Sequence, residues 1–374
     1  MRVIGVRMGL VGIGLWAAAM VAGCAGLPGL PGLPGLSGSG HAGAGDSVRP
    51  PQGLTLPLKC NLAENCWVTG YVDLDPAKGS VQDAGCGHRS KDGQQDTHFG
   101  LPDESYLSEG DWGVKVLAVA DGTVTALRDG VRDRLVDGPR DEYWIKDKPC
   151  GNGLVIDHGQ GFKSYYCHLR KASFKVQQGD VVQQGQHLGF VGESGQTSAI
   201  HLAYKLTYNG EVVDPFTGVE ARRAQVDVTC KTPLAQSLWQ PAWHQALAYQ
   251  PAYITAVGLA HTPPKAKDIR HGYFDQMHSA PNDMPRLIVW AYLHGLRDGD
   301  EVQFLITDQA NRPWLSSTHA IESDRDELLQ YVGKTLMPDS RWLTGTYFVK
   351  VTVDRSDQQK RRTIATKTWA FDIN

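Results

Sequence analysis

No apolar run marks this 374-residue chain as a membrane-spanning protein; the N-terminal stretch from Met8 to Ala22 is too short to cross a bilayer comfortably. Charge of one sign is scarce as well. A formal net charge of -3, with no basic stripe interleaved with aromatics, provides no field to recruit nucleic acid, so nucleic-acid partners are set aside. No two cysteines stand at Cys-x-x-Cys spacing, which argues against a structural zinc cluster. Asp298-Gly299-Asp300 lacks the Asp-x-Asp-x-Asp-Gly order of a calcium loop and reads as a turn opening a strand. What is present is 41% hydrophobic residues, 21% charged residues and 42 glycines, the composition of a turn-rich globular chain. The fold expected is all-β, and the length allows two domains.

Arg2 and Arg7 followed by the apolar run read as a signal peptide, residues 1–24. The run ends in Val21-Ala22-Gly23-Cys24, which resembles the bacterial lipobox; that resemblance implies acylation of Cys24 and a membrane held through the lipid. Ala25, in place of Asp, implies sorting to the outer membrane, facing the periplasm. Six further cysteines (Cys60, Cys66, Cys86, Cys150, Cys167 and Cys230) are an even number for an oxidising compartment, so three disulfides are expected. Cys60–Cys66 and Cys150–Cys167 are the favoured pairs. Repeated Leu-Pro-Gly from Leu27 to Gly35 makes residues 25–57 a tether.

Short strands separated by turn signals follow: Val116–Ala120, Gly122–Arg128, Gly153–His158, Phe162–His168, Gln186–Val191 and His201–Thr207. Asp121-Gly122, His158-Gly159-Gln160-Gly161, Gln178-Gly179-Asp180 and Asn209-Gly210 supply the turns. Residues 223–250, with Trp239, Trp243 and Tyr249, read as a packed connector. From 251 to 374 the strands Tyr253–Leu259, Arg286–Leu293, Glu301–Thr307, Thr346–Asp354 and Thr366–Phe371 suit an immunoglobulin-like β-sandwich. Trp290, Trp314, Trp342 and Tyr347 are expected in its core rather than on a sugar-stacking face.

Residues 58–222 carry a specific set of segments: Val116-Leu117-Ala118-Val119-Ala120-Asp121-Gly122, Gly151-Asn152-Gly153 through Asp157-His158-Gly159, Tyr166-Cys167-His168-Leu169, and Asn209-Gly210-Glu211-Val212-Val213-Asp214-Pro215. This stretch resembles the lysostaphin-type (LytM-like) zinc peptidoglycan endopeptidases. The resemblance implies an antiparallel β-sheet groove with a metal on its floor. Active members hold zinc with the His and Asp of His-x-Gly-x-Asp and the second His of His-x-His, leaving a fourth position for the water that becomes the nucleophile. Two more histidines serve as general base and oxyanion stabiliser.

Those two correspond here to His168 and His201. The ligand positions fall on Gln94, His98 and Ala203; an amide oxygen is a weak zinc ligand and a methyl group none. A register with His98 and Asp103 as first and second ligands needs an extra residue between them and is disfavoured. The resemblance therefore implies a degenerate member in which His168 and His201 are vestiges and no zinc is expected. Its partner would be peptidoglycan or a cell-wall amidase. The competing expectation is an active endopeptidase whose zinc sits on a rebuilt site of His98, His168 and His201. A third expectation makes the C-terminal domain the working part.

Overall fold

The computed structural model describes residues 53–62, 64–102, 113–136, 138–223, 234, 236–271, 273, 277–357 and 360–374. Cys24, Asp103 and Cys230 lie outside these residues, as does the segment read as signal peptide.

The first unit is built from β1 (Trp67–Gly70), β2 (Thr97–Gly100), β3 (Lys115–Leu117), β4 (Gly122–Arg128), α1 (Pro139–Ile145), β5 (Asn152–Gly159), β6 (Phe162–Leu169), β7 (Val181–Val182), β8 (His187–Phe190), β9 (His201–Tyr208) and β10 (Glu211–Val213). Its main sheet is antiparallel in the order β1-β2-β9-β6-β5-β4-β7, with β10 also on β9, and β3 pairs β8 in a two-stranded sheet. The expected turns are where the chain reverses. Asn209 (φ 48°) and Gly210 (φ 89°) close the β9–β10 hairpin in the left-handed conformation that the pair adopts at little cost. The strand readings from Gly122 to Tyr208 hold to within a residue or two. Val116–Ala120 shortens to β3, because the chain leaves the strand at Ala118 and bends at Val119 and Ala120 before β4 begins.

Strand β9 sorts the unit into core and groove. Leu202, Tyr204 and Leu206 enter the core with Phe99, Tyr166 and Trp239, while His201, Ala203 and Lys205 take the opposite face by strand alternation. Trp239, from the segment read as connector, lies edge-on to Phe99 with centroids 6.2 Å apart. Leu54 and Leu56, within the stretch read as tether, are buried in this core as well; the Leu54 amide donates to the Leu238 carbonyl at 2.8 Å. Full burial of such a leucine is worth about 1.5–3 kcal/mol, enough to draw the chain in at that point. The disulfides Cys60–Cys66 and Cys150–Cys167 are both formed, and Cys86 is disulfide-bonded too.

The second unit comprises β11 (Tyr253–Ala260), α2 (Ala266–Arg270), β12 (Ser279–Ala280), β13 (Arg286–Leu296), β14 (Glu301–Asp308), β15 (Pro313–Ala320), β16 (Arg325–Thr335), β17 (Gly345–Asp357) and β18 (Lys360–Ile373). Two sheets, β11-β13-β16 and β12-β18-β17-β14-β15, share a core in which Leu259, Val289 and Leu293 meet Phe304, Val351 and Val353. Trp290, Trp342 and Tyr347 are buried, as expected of core aromatics. β15 and β16 were not anticipated: their residues are largely polar and half-exposed, so the apolar alternation that betrays a strand is weak. Asp300 is a turn residue with a further role, since its buried carboxylate accepts two hydrogen bonds from Arg355 at 2.7 and 2.8 Å.

Candidate functional site

His98, His168 and His201 come from three neighbouring strands and meet in one cleft. In register, Ala203 of β9 lies between His98 of β2 and Cys167 of β6. The ring of His201 is 4.2 Å from that of His98 and 4.7 Å from that of His168, centroid to centroid.

His168 sits at the end of β6 in a left-handed backbone conformation, φ 68°, that costs a non-glycine residue strain. The surroundings hold it there. Its amide donates to the Cys150 carbonyl at 2.9 Å, the neighbouring Cys167 is bonded to Cys150, and its Nδ1–H donates to the Ser194 carbonyl at 2.8 Å. Burial pushes its pKa down to about 4, against the smaller opposing effect of that hydrogen bond. His201 is 9% exposed. Its Nδ1 lies 2.8 Å from the Ala199 carbonyl and 3.1 Å from Thr197 Oγ1, so Nδ1 carries the proton; Nε2 is buried without a hydrogen-bond partner among the described residues. Burial, then the charges of His98 and His168, hold its pKa well below the usual histidine value. Both imidazoles are therefore neutral at pH 7, with Nε2 as an acceptor.

The third ring is committed differently. His98 Nε2 meets Asp96 Oδ1 at 3.0 Å. Burial alone would raise the Asp96 pKa, but the charge and hydrogen bond of His98 outweigh it and the carboxyl is held below its usual range. Gln94 lies beside His98 over Gly70, where an added Cβ would meet Gln94 Nε2 at 2.9 Å and His98 Nδ1 at 3.3 Å. Both ends of its amide are occupied: Nε2 donates to the Asp96 carbonyl at 3.0 Å, and Oε1 accepts from the Lys91 amide at 3.1 Å.

The positions of the family's ligand set, Gln94, His98 and Ala203, do not fit a zinc ion. The position between His98 and Cys167 presents a methyl group, Gln94 offers only a neutral amide oxygen that already accepts from the Lys91 amide, and the Nε2 of His98 faces a carboxylate. Among the described residues, no group of three or more His, Cys, Asp and Glu side chains is arranged to hold a metal. The Nδ1 atoms of His168 and His201 are tied to backbone carbonyls, which leaves Nε2 as the one coordinating atom of each ring.

The opposite wall comes from the second unit. Tyr253, Tyr292, His294, Asp326 and Glu327 line the same cleft of about 660 Å³. His294 stacks on Tyr253 at 4.9 Å with 5° between the planes and meets Tyr292 edge-on at 4.9 Å; burial pushes its pKa down to about 4. Tyr292 donates its hydroxyl to Glu327 at 2.5 Å. Arg89 rivets the walls together. Its buried guanidinium is 5.0, 4.7 and 5.3 Å from the rings of Tyr71, Tyr249 and Tyr253, and it donates to the Val68 carbonyl and the Tyr71 hydroxyl, both at 3.1 Å. Sequence reasoning missed this wall entirely. It also missed Asp96, whose Asp-x-His spacing along one strand face was the available signal.

Comparison with known proteins bears on the first unit. Residues 108–215 match the model of Peptidase family M23. The matched stretch is similar to an M23 (LytM-like) domain; it contains His168, His201 and Ala203 and begins after Gln94 and His98. The chain is similar to the DD-carboxypeptidase/endopeptidase Mpg of Neisseria meningitidis serogroup B (strain ATCC 13091 / M2091), 38% identical over 65 residues, 17% of this chain and 14% of the relative. It is similar to the peptidoglycan DD-endopeptidase ShyA of Vibrio cholerae, 32% identical over 83 residues, 22% and 17% of the two chains. The matches thus span only about a sixth of these relatives' length. Among solved structures, lysostaphin from Staphylococcus simulans aligns at 13% identity over 74% of this chain and 83% of its own, with a TM-score of 0.25.

Proposed function

We propose that this chain binds a peptidoglycan peptide in the two-walled cleft without cutting it. The observation that carries the reading is Ala203, in register between His98 and Cys167, where a coordinating side chain would have to stand. The name of ShyA, a peptidoglycan DD-endopeptidase, supports the ligand class. The histidines support a binding role. With its Nδ1 proton tied to the backbone, Nε2 of His168 accepts, and a peptide N–H or ammonium group is the matching donor. A lipid anchor on Cys24 at the periplasmic face of the outer membrane belongs to the same proposal. So does an amidase as the alternative partner to murein.

The competing reading, a working endopeptidase, draws on the convergence of His98, His168 and His201. Co-sedimentation of the full chain with purified sacculi, run beside zymography with and without chelator, separates the two. Binding without a clearing zone is the expected result. A clearing zone abolished by chelator overturns the proposal.

A further inference from the structure

The β5–β6 ladder is interrupted where it carries His168. Leu154 pairs with Tyr166 and Asn152 with Leu169, so Gly153 alone stands opposite both Cys167 and His168, a β-bulge. Only glycine fits opposite the bulge, since an added Cβ would lie 2.4 Å from the Tyr166 carbonyl oxygen and 2.9 Å from Cys150 Sγ. Within the bulge His168 takes its left-handed φ of 68°, and its amide donates to the Cys150 carbonyl at 2.9 Å instead of to β5.

A disulfide closes on this bulge. Cys167 is one of its two residues, Cys150 supplies the carbonyl that receives the other, and the two sulfurs are bonded. Cys167 is 2% exposed, whereas Cys150 is half-buried and lines the cleft together with His168. The turn that carries Cys150 rests on residues 194–196: the Gln196 amide donates to the Pro149 carbonyl and the Asn152 amide to Ser194 Oγ, both at 2.8 Å. His168 is therefore gripped from two sides. Ser194 takes its Nδ1–H and the Gly192 amide donates to its carbonyl, while the Cys150 carbonyl holds its amide, and the disulfide is what binds Cys150 covalently to β6.

We infer that the Cys150–Cys167 disulfide is a redox-sensitive latch on the cleft: reduction by a dithiol lets the bulge relax and frees His168 from the orientation it holds there. The strain of a left-handed, non-glycine residue favours that release once the bond is open. Its consequence for binding rests on the peptide-binding reading above, in which His168 Nε2 accepts from the ligand. Cys150, the more open cysteine, is the point of attack. A reductant thiolate bonds to Cys150 Sγ, and the S–S electron pair leaves on Cys167 Sγ, which takes up a proton. The reductant's second thiol then resolves the mixed disulfide, closing as a cyclic disulfide and releasing the Cys150 thiol, so that two electrons and two protons reach the protein.

The test treats the full chain with dithiothreitol, alkylates the freed thiols with iodoacetamide and maps them by mass spectrometry. Hydrogen exchange and co-sedimentation with purified sacculi are followed on the same samples. Opening of Cys150–Cys167 is expected to quicken exchange at the His168 amide and to weaken sacculus binding roughly tenfold or more, both reversed on reoxidation before alkylation. A Cys60→Ser/Cys66→Ser variant should respond as the native chain does, which excludes the other mapped bridge as the cause. Cys150→Ser/Cys167→Ser should match the reduced chain without any reductant; if it fails to fold, the dithiothreitol series on the native chain still decides. No alkylation of Cys150 in the folded chain, or alkylation that leaves exchange and affinity unchanged, overturns the inference. Absence of binding in both redox forms instead sinks the peptide-binding reading, and exchange at His168 then decides on the latch alone.

Discussion

The two walls of the cleft each bury histidines, yet they hold them by different means. On the first unit's wall, His168 and His201 are fixed by main-chain carbonyls, Ser194 and Ala199, and by the register of β6 and β9. On the second unit's wall, His294 is packed between Tyr253 and Tyr292, and Tyr292 is in turn tied to Glu327 on the neighbouring strand. Backbone ties make the first wall insensitive to exchange of its neighbours. A floor held in this way keeps its shape with alanine at position 203. The second wall is a relay of side chains, and each member depends on the next.

The largest expected effect breaks the comparison on the first wall. Because the backbone there retains its shape, the triple variant Gln94→His/His98→Asp/Ala203→His should restore a His, Asp, His set. Zinc affinity should rise by about 10²-fold or more over the native chain, measured by competition with a chromophoric chelator and by metal content. No gain in zinc would show that these three positions do not converge as the register implies.

Acid sharpens the comparison next. His168 and His294 both have pKa values pushed down to about 4, so the unfolded chain takes up a proton near pH 6.5 that the folded chain refuses. Stability should be full above about pH 6.5 and decline as pH falls towards 4, by roughly 3 kcal/mol for His168 alone. Urea denaturation across that range measures it. His168→Gln should flatten part of the slope, and an unchanged slope would mean that this ring is not buried neutral.

Arg89 joins the walls and gives the smallest effect of the three. Arg89→Met keeps the aliphatic bulk between Tyr71, Tyr249 and Tyr253 but removes the cation and its hydrogen bonds to Val68 and Tyr71. A loss of about 2–3 kcal/mol is expected by thermal or chemical denaturation. The second unit's wall should loosen with it, read as faster hydrogen exchange in β11. Protection equal to the native chain's would show that the walls dock without the rivet.

Much of the first unit was legible. Gly-rich turns, strand alternation and the Tyr166-Cys167-His168-Leu169 segment carry their information locally, and the β5–β6 and β9–β10 hairpins follow from them. β1 and β2 escaped notice because Trp67–Gly70 and Thr97–Gly100 are only four residues each, too short for a period to emerge. The polar strands β15 and β16 escaped for want of alternation, and with β16 went Asp326 and Glu327 of the second wall.

The sequence by itself determined the all-β class, the hairpins, two of the disulfides and the methyl group at position 203, because each is a property of residue type at short range. Only the tertiary structure decided which nitrogen of His168 and His201 keeps its proton, that His98 is engaged by Asp96, and that a second sheet closes the groove. Those outcomes depend on contacts between segments far apart in the chain: His168 with Ser194, Tyr253 with Trp67 and His294, Arg89 with Tyr249. No local pattern encodes such contacts, since burial and hydrogen-bond partners exist only once the sheets have packed.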